Sequence, residues 1–93
     1  MSDRLQLLSN SEGELVCVRV GVEPRLLEEL LECLAEVDFP INPQIYHGRP
    51  TVVEFPAYER RITGLCQRLR LAGFASSSVT VRPMLEALVA HAS

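Results

Sequence analysis

Glu14-Leu15-Val16-Cys17-Val18-Arg19-Val20-Gly21-Val22 alternates without a break. Val16, Val18, Val20 and Val22 fall on one side of an extended chain. Leu15, Cys17, Arg19 and Gly21 fall on the other, the signature of a strand with one buried face. A buried valine face needs apolar cover, and the sequence supplies it twice. After Glu23-Pro24 the stripe Leu27, Leu30, Leu31, Leu34, widened by Leu26, Cys33 and Val37, has helical spacing. Pro24 suits the first helical position, and Glu28 and Glu29 sit near the positive end of the dipole. Asp38-Phe39-Pro40 closes that helix, because a residue before proline resists the α conformation. A second helix is expected over residues 57–72, with Ile62, Leu65, Cys66, Leu69 and Ala72 as its stripe. Gly73 fits a left-handed C′ position, and Phe74 closes the hydrophobic contact of a Schellman ending. Arg68 and Arg70 lie at the helix end that favours cations.

The remaining strands follow from turn chemistry. Residues 41–47 read as a second strand, which Pro43 confines to an edge. His47-Gly48-Arg49-Pro50 is a turn, and residues 51–55 form a third strand, giving an antiparallel hairpin. Val79 and Val81 mark a fourth strand ending near Pro83, and Met84, Leu85, Leu88 and Val89 suggest a short terminal helix. Ser9-Asn10-Ser11-Glu12-Gly13 is a turn cluster, so residues 1–13 read as an arm or a short extra strand, 14–83 as the domain and 84–93 as a helical tail. The order is β-α-β-β-α-β. Two right-handed crossovers place the first and third strands side by side and both helices on one face. The expected fold is therefore α+β: a ferredoxin-like sandwich with a four-stranded antiparallel sheet. Its open face carries Cys17, Arg19, Gln44, Tyr46, Val52, Glu54, Thr80 and Arg82. Arg19, Glu54 and Arg82 read as a cross-strand charge row, and with Tyr46 they are candidates for a dimer interface.

Composition narrows the function. The chain has 93 residues, which fits one domain, and 47% are hydrophobic, enough for a core and against disorder. A domain this small buries only about 60–65% of its unfolded surface, so a homodimer is a useful source of further burial. All nine basic residues are arginine, which excludes a lysine Schiff base and a P-loop. Twelve acids leave a net charge of −3, which argues against nucleic acid as a partner. The central strands also lack the aromatics of sheet-type RNA readers. Cys17, Cys33 and Cys66 are odd in number and widely spaced, as reduced thiols of a cytoplasmic protein are. The first residues lack the apolar run of a secretory signal, and no stretch has the length of a membrane span.

Catalytic constellations are missing from the pattern. His47 sits alone in a turn and His91 lies at the C-terminus, too far apart in sequence for metal-ligand spacing, so no metal and no cofactor is implied. Nucleophile-elbow, G-x-G-x-x-G and H-E-x-x-H motifs are absent. Cys17 shares a face with Arg19, which would lower its pKa, but no histidine is placed to act as its base. The inward residues are aliphatic, unlike the polar cavity of a small α+β-barrel enzyme. Glu28, Glu29, Glu32 and Glu36 read as a solvated helix face. Gly21-Val22-Glu23-Pro24-Arg25 is the best pocket candidate: Gly21 allows a bend or close ligand approach, and the helix start offers free N–H groups to a carboxylate.

Val20 to Leu27, with Leu34-Ala35-Glu36 and Phe39-Pro40-Ile41-Asn42-Pro43-Gln44-Ile45, resembles an ACT domain in its element order, its Pro-opened helix and its "-I-N-x-x-I-" strand. Residues 51–55 and 62–74 are also similar to the related NIL domain of methionine-transporter ATPases. The likeness spans about residues 15–82. It implies a non-catalytic regulatory module, binding an amino acid or small anionic metabolite at a homodimer interface and acting on a separate protein partner. The resemblance places the ligand at Gly21, Val22, Glu23 and Pro24, with Asn42 from the second strand. Arg25 stands where the family commonly has glycine; its side chain either fills the pocket or meets an anion. The alternative is a protein-interaction or assembly module without a small ligand.

Overall fold

The computed structural model describes residues 9–10 and 13–84. Its elements are β1 (Ser9–Asn10), β2 (Gly13–Val22), a 3-10 turn (Pro24–Leu26), α1 (Leu27–Ala35), β3 (Gln44–Tyr46), β4 (Thr51–Tyr58), α2 (Glu59–Leu71), a second 3-10 turn (Ser76–Ser78) and β5 (Val79–Pro83). The architecture is α+β, an open antiparallel sheet with two helices. Across the sheet the order is β5-β2-β4-β3, with the two-residue β1 paired to the start of β2. That order is consistent with a ferredoxin-like arrangement. The expected terminal helix, 84–93, lies outside the described residues from 85 onward.

The core forms where the alternation of β2 puts it. Val16, Val18, Val20 and Val22 are buried together with Val53, Phe55 and Ala57 of β4. Leu30 and Leu34 of α1 and Leu65 and Leu69 of α2 close the same cluster, so both helices cover the valine face. Phe74 joins them through the end of α2. Gly73 takes φ 98°, its N–H donates to the Arg70 carbonyl, and the Phe74 N–H donates to the Leu69 carbonyl at 2.9 Å. These are the two bonds of a Schellman ending.

Several boundaries differ from expectation: α1 ends at Ala35, short of Val37, and α2 begins at Glu59 rather than 57. β3 is only three residues long, not the seven of 41–47, because Pro40 and Pro43 deny the preceding segment ladder donors. β4 continues to Tyr58, past the expected end at 55. Its pairing with β3 stops at Glu54, so the edge beyond is open and the missing N–H of Pro56 breaks no bond there. The first helix opens as a 3-10 turn rather than a regular α turn. The Leu26 N–H bonds the Glu23 carbonyl and the Leu27 N–H bonds the Pro24 carbonyl.

Leu30→Ala is expected to cost about 2–5 kcal/mol through the cavity it leaves. Gly73→Ala is expected to cost about 1–2 kcal/mol, purely by conformation, since a Cβ there meets nothing within 4 Å. Urea denaturation midpoints check both.

Candidate functional site

The antiparallel register of β2 and β4 builds the first candidate site. Val22 pairs with Thr51, so the residues after Val22 lie beside those before Thr51. Glu23, Pro24, Arg25, Arg49 and Pro50 line an open cleft of about 550 Å³. The Thr51 hydroxyl, buried, donates to the Gly48 carbonyl at 3.0 Å and fixes the turn that carries Arg49. Arg25 neither fills the cleft nor stands alone. Its Nε donates to Glu23 Oε2 at 2.9 Å, and a second guanidinium nitrogen lies 2.9 Å from the same oxygen. Both side chains are exposed, so the pair is worth little to stability. It still holds a carboxylate and a guanidinium at the mouth of the cleft, with a second guanidinium, Arg49, on the other wall.

The other residues expected at this site are placed differently. Gly21 is an ordinary strand residue paired with Val52, without positive φ. A Cβ there would sit 3.6 Å from the Pro50 ring, an ordinary contact, so the backbone requires no glycine and no ligand approach explains it. Val22 points into the core. Asn42 is exposed in the irregular segment before β3 and does not line the cleft. Most of the expected free N–H groups are also spent. Pro24 has none, and those of Leu26 and Leu27 are bonded as described. Arg49 and Pro50 were not expected here. Only the register of β2 against β4 reveals them, and alternation alone does not fix register.

The open sheet face forms the second candidate site. Arg19 lies directly opposite Glu54, with Nε 3.5 Å from Oε2. Gln44 flanks Glu54 on β3, and Thr80 flanks Arg19 on β5. The expected charge row is therefore a pair. Arg82 sits in the adjacent row, opposite Cys17. The Tyr46 hydroxyl lies 2.9 Å from Gln44 Oε1 and 3.3 Å from Glu54 Oε1, and its one proton serves one of them at a time. Under these longer side chains Cys17 is 4% exposed and Glu54 8%.

Burial pushes the Cys17 thiol above its ordinary pKa, and the charge and hydrogen bond of Glu54 push it further. Arg82 and Arg19 act the other way and lose. Arg19 does lower this thiol's pKa, as its place on the same face suggests, but desolvation and Glu54 outweigh it. Cys33 is also raised, by burial first and Glu36 second, against Arg68. Among the described residues no group of three or more His, Cys, Asp or Glu is gathered to hold a metal ion. No helix among them is long and apolar enough to cross a membrane. No protein-family model matches the sequence, and no curated protein or solved structure is significantly similar to it.

Two outcomes test this geometry. Gly21→Ala is expected to leave stability within about 0.5 kcal/mol, measured by urea denaturation. The raised thiols set a pH dependence. Unfolded cysteines titrate near about pH 8.5, and below that the contribution of Cys17 and Cys33 is fully present. As pH rises towards their folded-state values, the unfolded chain ionises first and stability falls. Thermal unfolding from neutral to alkaline pH should show that fall, with a shallower slope in Cys17→Ala/Cys33→Ala.

Proposed function

We propose that the chain is a non-catalytic regulatory module of ferredoxin-like, ACT-like architecture. It works as a homodimer and takes an amino acid or similar small anionic metabolite in the cleft between Glu23-Pro24-Arg25 and Arg49-Pro50. The observation that carries the reading is the charge arrangement of that cleft: one carboxylate and two guanidinium groups over two proline rings. Glu23 suits an α-ammonium group, and Arg49 with Arg25 suits a carboxylate, which arginine grips in bidentate fashion. The strand order supports the architecture, because it sets the first strand–helix turn beside the hairpin turn. The raised Cys17 thiol and the exposed His47 in its turn favour recognition over chemistry.

A second reading, an assembly module without a small ligand, rests on the sheet face. Arg19 and Tyr46 reach over the buried Cys17 thiol and Glu54 carboxylate, with Arg82 opposite Cys17, a polar surface suited to a separate protein partner or a second copy. Both readings place the protein in the cytoplasm, where its thiols stay reduced.

Equilibrium dialysis of the full chain against a panel of amino acids and small dicarboxylates separates the two. The regulatory reading expects saturable binding, weakened at least about tenfold in Arg49→Gln, because one charge-assisted bond is worth about 1.5–3 kcal/mol. No binding across the panel by a folded, dimeric protein removes it and leaves the assembly reading.

A further inference from the structure

The two helices that cover the core carry opposite charge. On α1, Glu28, Glu29 and Glu32 are exposed, Glu36 caps the C-terminus, and no basic residue interrupts them. On α2, Arg60, Arg68 and Arg70 are exposed, while Arg61 is turned to Asp38 at 3.5 Å and lies over the Phe39 ring. Among the described residues no ion pair joins the α1 carboxylates to Arg60, Arg68 or Arg70. With Leu30 and Leu34 buried, the ridge Glu28, Glu32, Glu36 points away from the core. With Leu65 and Leu69 buried, Arg60, Gly64, Gln67, Arg70 and Leu71 do the same on α2.

Two residues of that α2 ridge make little sense in an isolated chain. Gly64 sits in the middle of an exposed helix, where glycine costs about 1 kcal/mol against alanine. A Cβ at Gly64 would meet nothing within 4 Å, so no contact among the described residues requires its absence. Leu71 is 89% exposed, whereas Leu65 and Leu69 of the same helix are buried. A facing helix accounts for both, since the missing Cβ admits a close backbone and Leu71 gains cover.

We propose that α1 of one copy packs on α2 of a second copy of this chain, across a two-fold axis running along the helices. The charges select that axis. It sets each acidic α1 over the partner's basic α2, twice per dimer, whereas an axis across the helices would oppose acid to acid. The inference names the surface by which the proposed homodimer forms and does not depend on a ligand.

Sedimentation equilibrium of the full chain tests it, with circular dichroism confirming that each variant is folded. The unsubstituted chain is expected to dimerise at about 50 mM salt and to weaken at least about tenfold at about 500 mM. E32R/E36R and R60E/R70E are each expected to be monomeric alone, and an equimolar mixture to recover the dimer, because the swapped charges are again complementary. Gly64→Gln, which the isolated helix tolerates, is expected to raise thermal stability at low protein concentration and to weaken the dimer. A monomeric unsubstituted chain, undiminished dimerisation of either charge variant or of Gly64→Gln, or a mixture that stays monomeric overturns the inference. Loss of the dimer in R19E/R82E instead, with the helix variants unaffected, places the contact on the sheet face. That result keeps the homodimer and removes this surface.

Discussion

The packing of Val16, Val18, Val20 and Val22 against Leu30, Leu34, Leu65 and Leu69 is the constraint from which the rest of the molecule follows. Each side chain withdrawn from water contributes about 1.5–3 kcal/mol before ordering entropy is subtracted, so no other arrangement of β2 competes. Once the valines face the helices, the pleat sends Cys17, Arg19 and Gly21 to the other side. The same commitment fixes register, because a slip of one residue would turn every valine to water. Register in turn sets Glu54 opposite Arg19 and the Arg49-Pro50 turn beside Glu23-Pro24.

The sheet face and the cleft differ in how they use charge. On the sheet, Glu54 is covered by Tyr46 and faced by Arg19, and it adds to the effect of burial in raising the pKa of the neighbouring thiol. Burial and a raised pKa both lower the thiolate fraction on which cysteine reactivity depends. In the cleft the charges are exposed, and the Arg25–Glu23 pair adds little to stability. The helix layer has a third arrangement: α1 is acidic throughout, and α2, past Glu59 in its first turn, is basic.

Much of the fold was legible because local and global signals agree. The β2 alternation, the α1 leucine stripe and the Gly73-Phe74 helix ending each state one structure, and the physics of burial and left-handed backbone leaves few others. The elements that misled are those where a neighbour decides. Pro56 stays in β4 only because β3 ends before it. Glu54 is buried only because Tyr46 and Arg19 reach across from other strands. The cleft was half visible. Glu23, Pro24 and Arg25 stand together in sequence, but Arg49 and Pro50 come from a distant turn. Gly21 is a plain strand position despite being glycine, while Gly64 is set apart only by the open space around it among the described residues, which no local pattern encodes.

Native-state amide hydrogen exchange reads the central claim directly. If the valine face of β2 is the hub of the core, the amides of residues 16–20, hydrogen-bonded between β4 and β5, exchange slowest, at the rate of global unfolding. Those of β3 at the sheet edge exchange sooner. Exchange of β2 as fast as that of β3, or maximal protection in a different strand, would contradict the account.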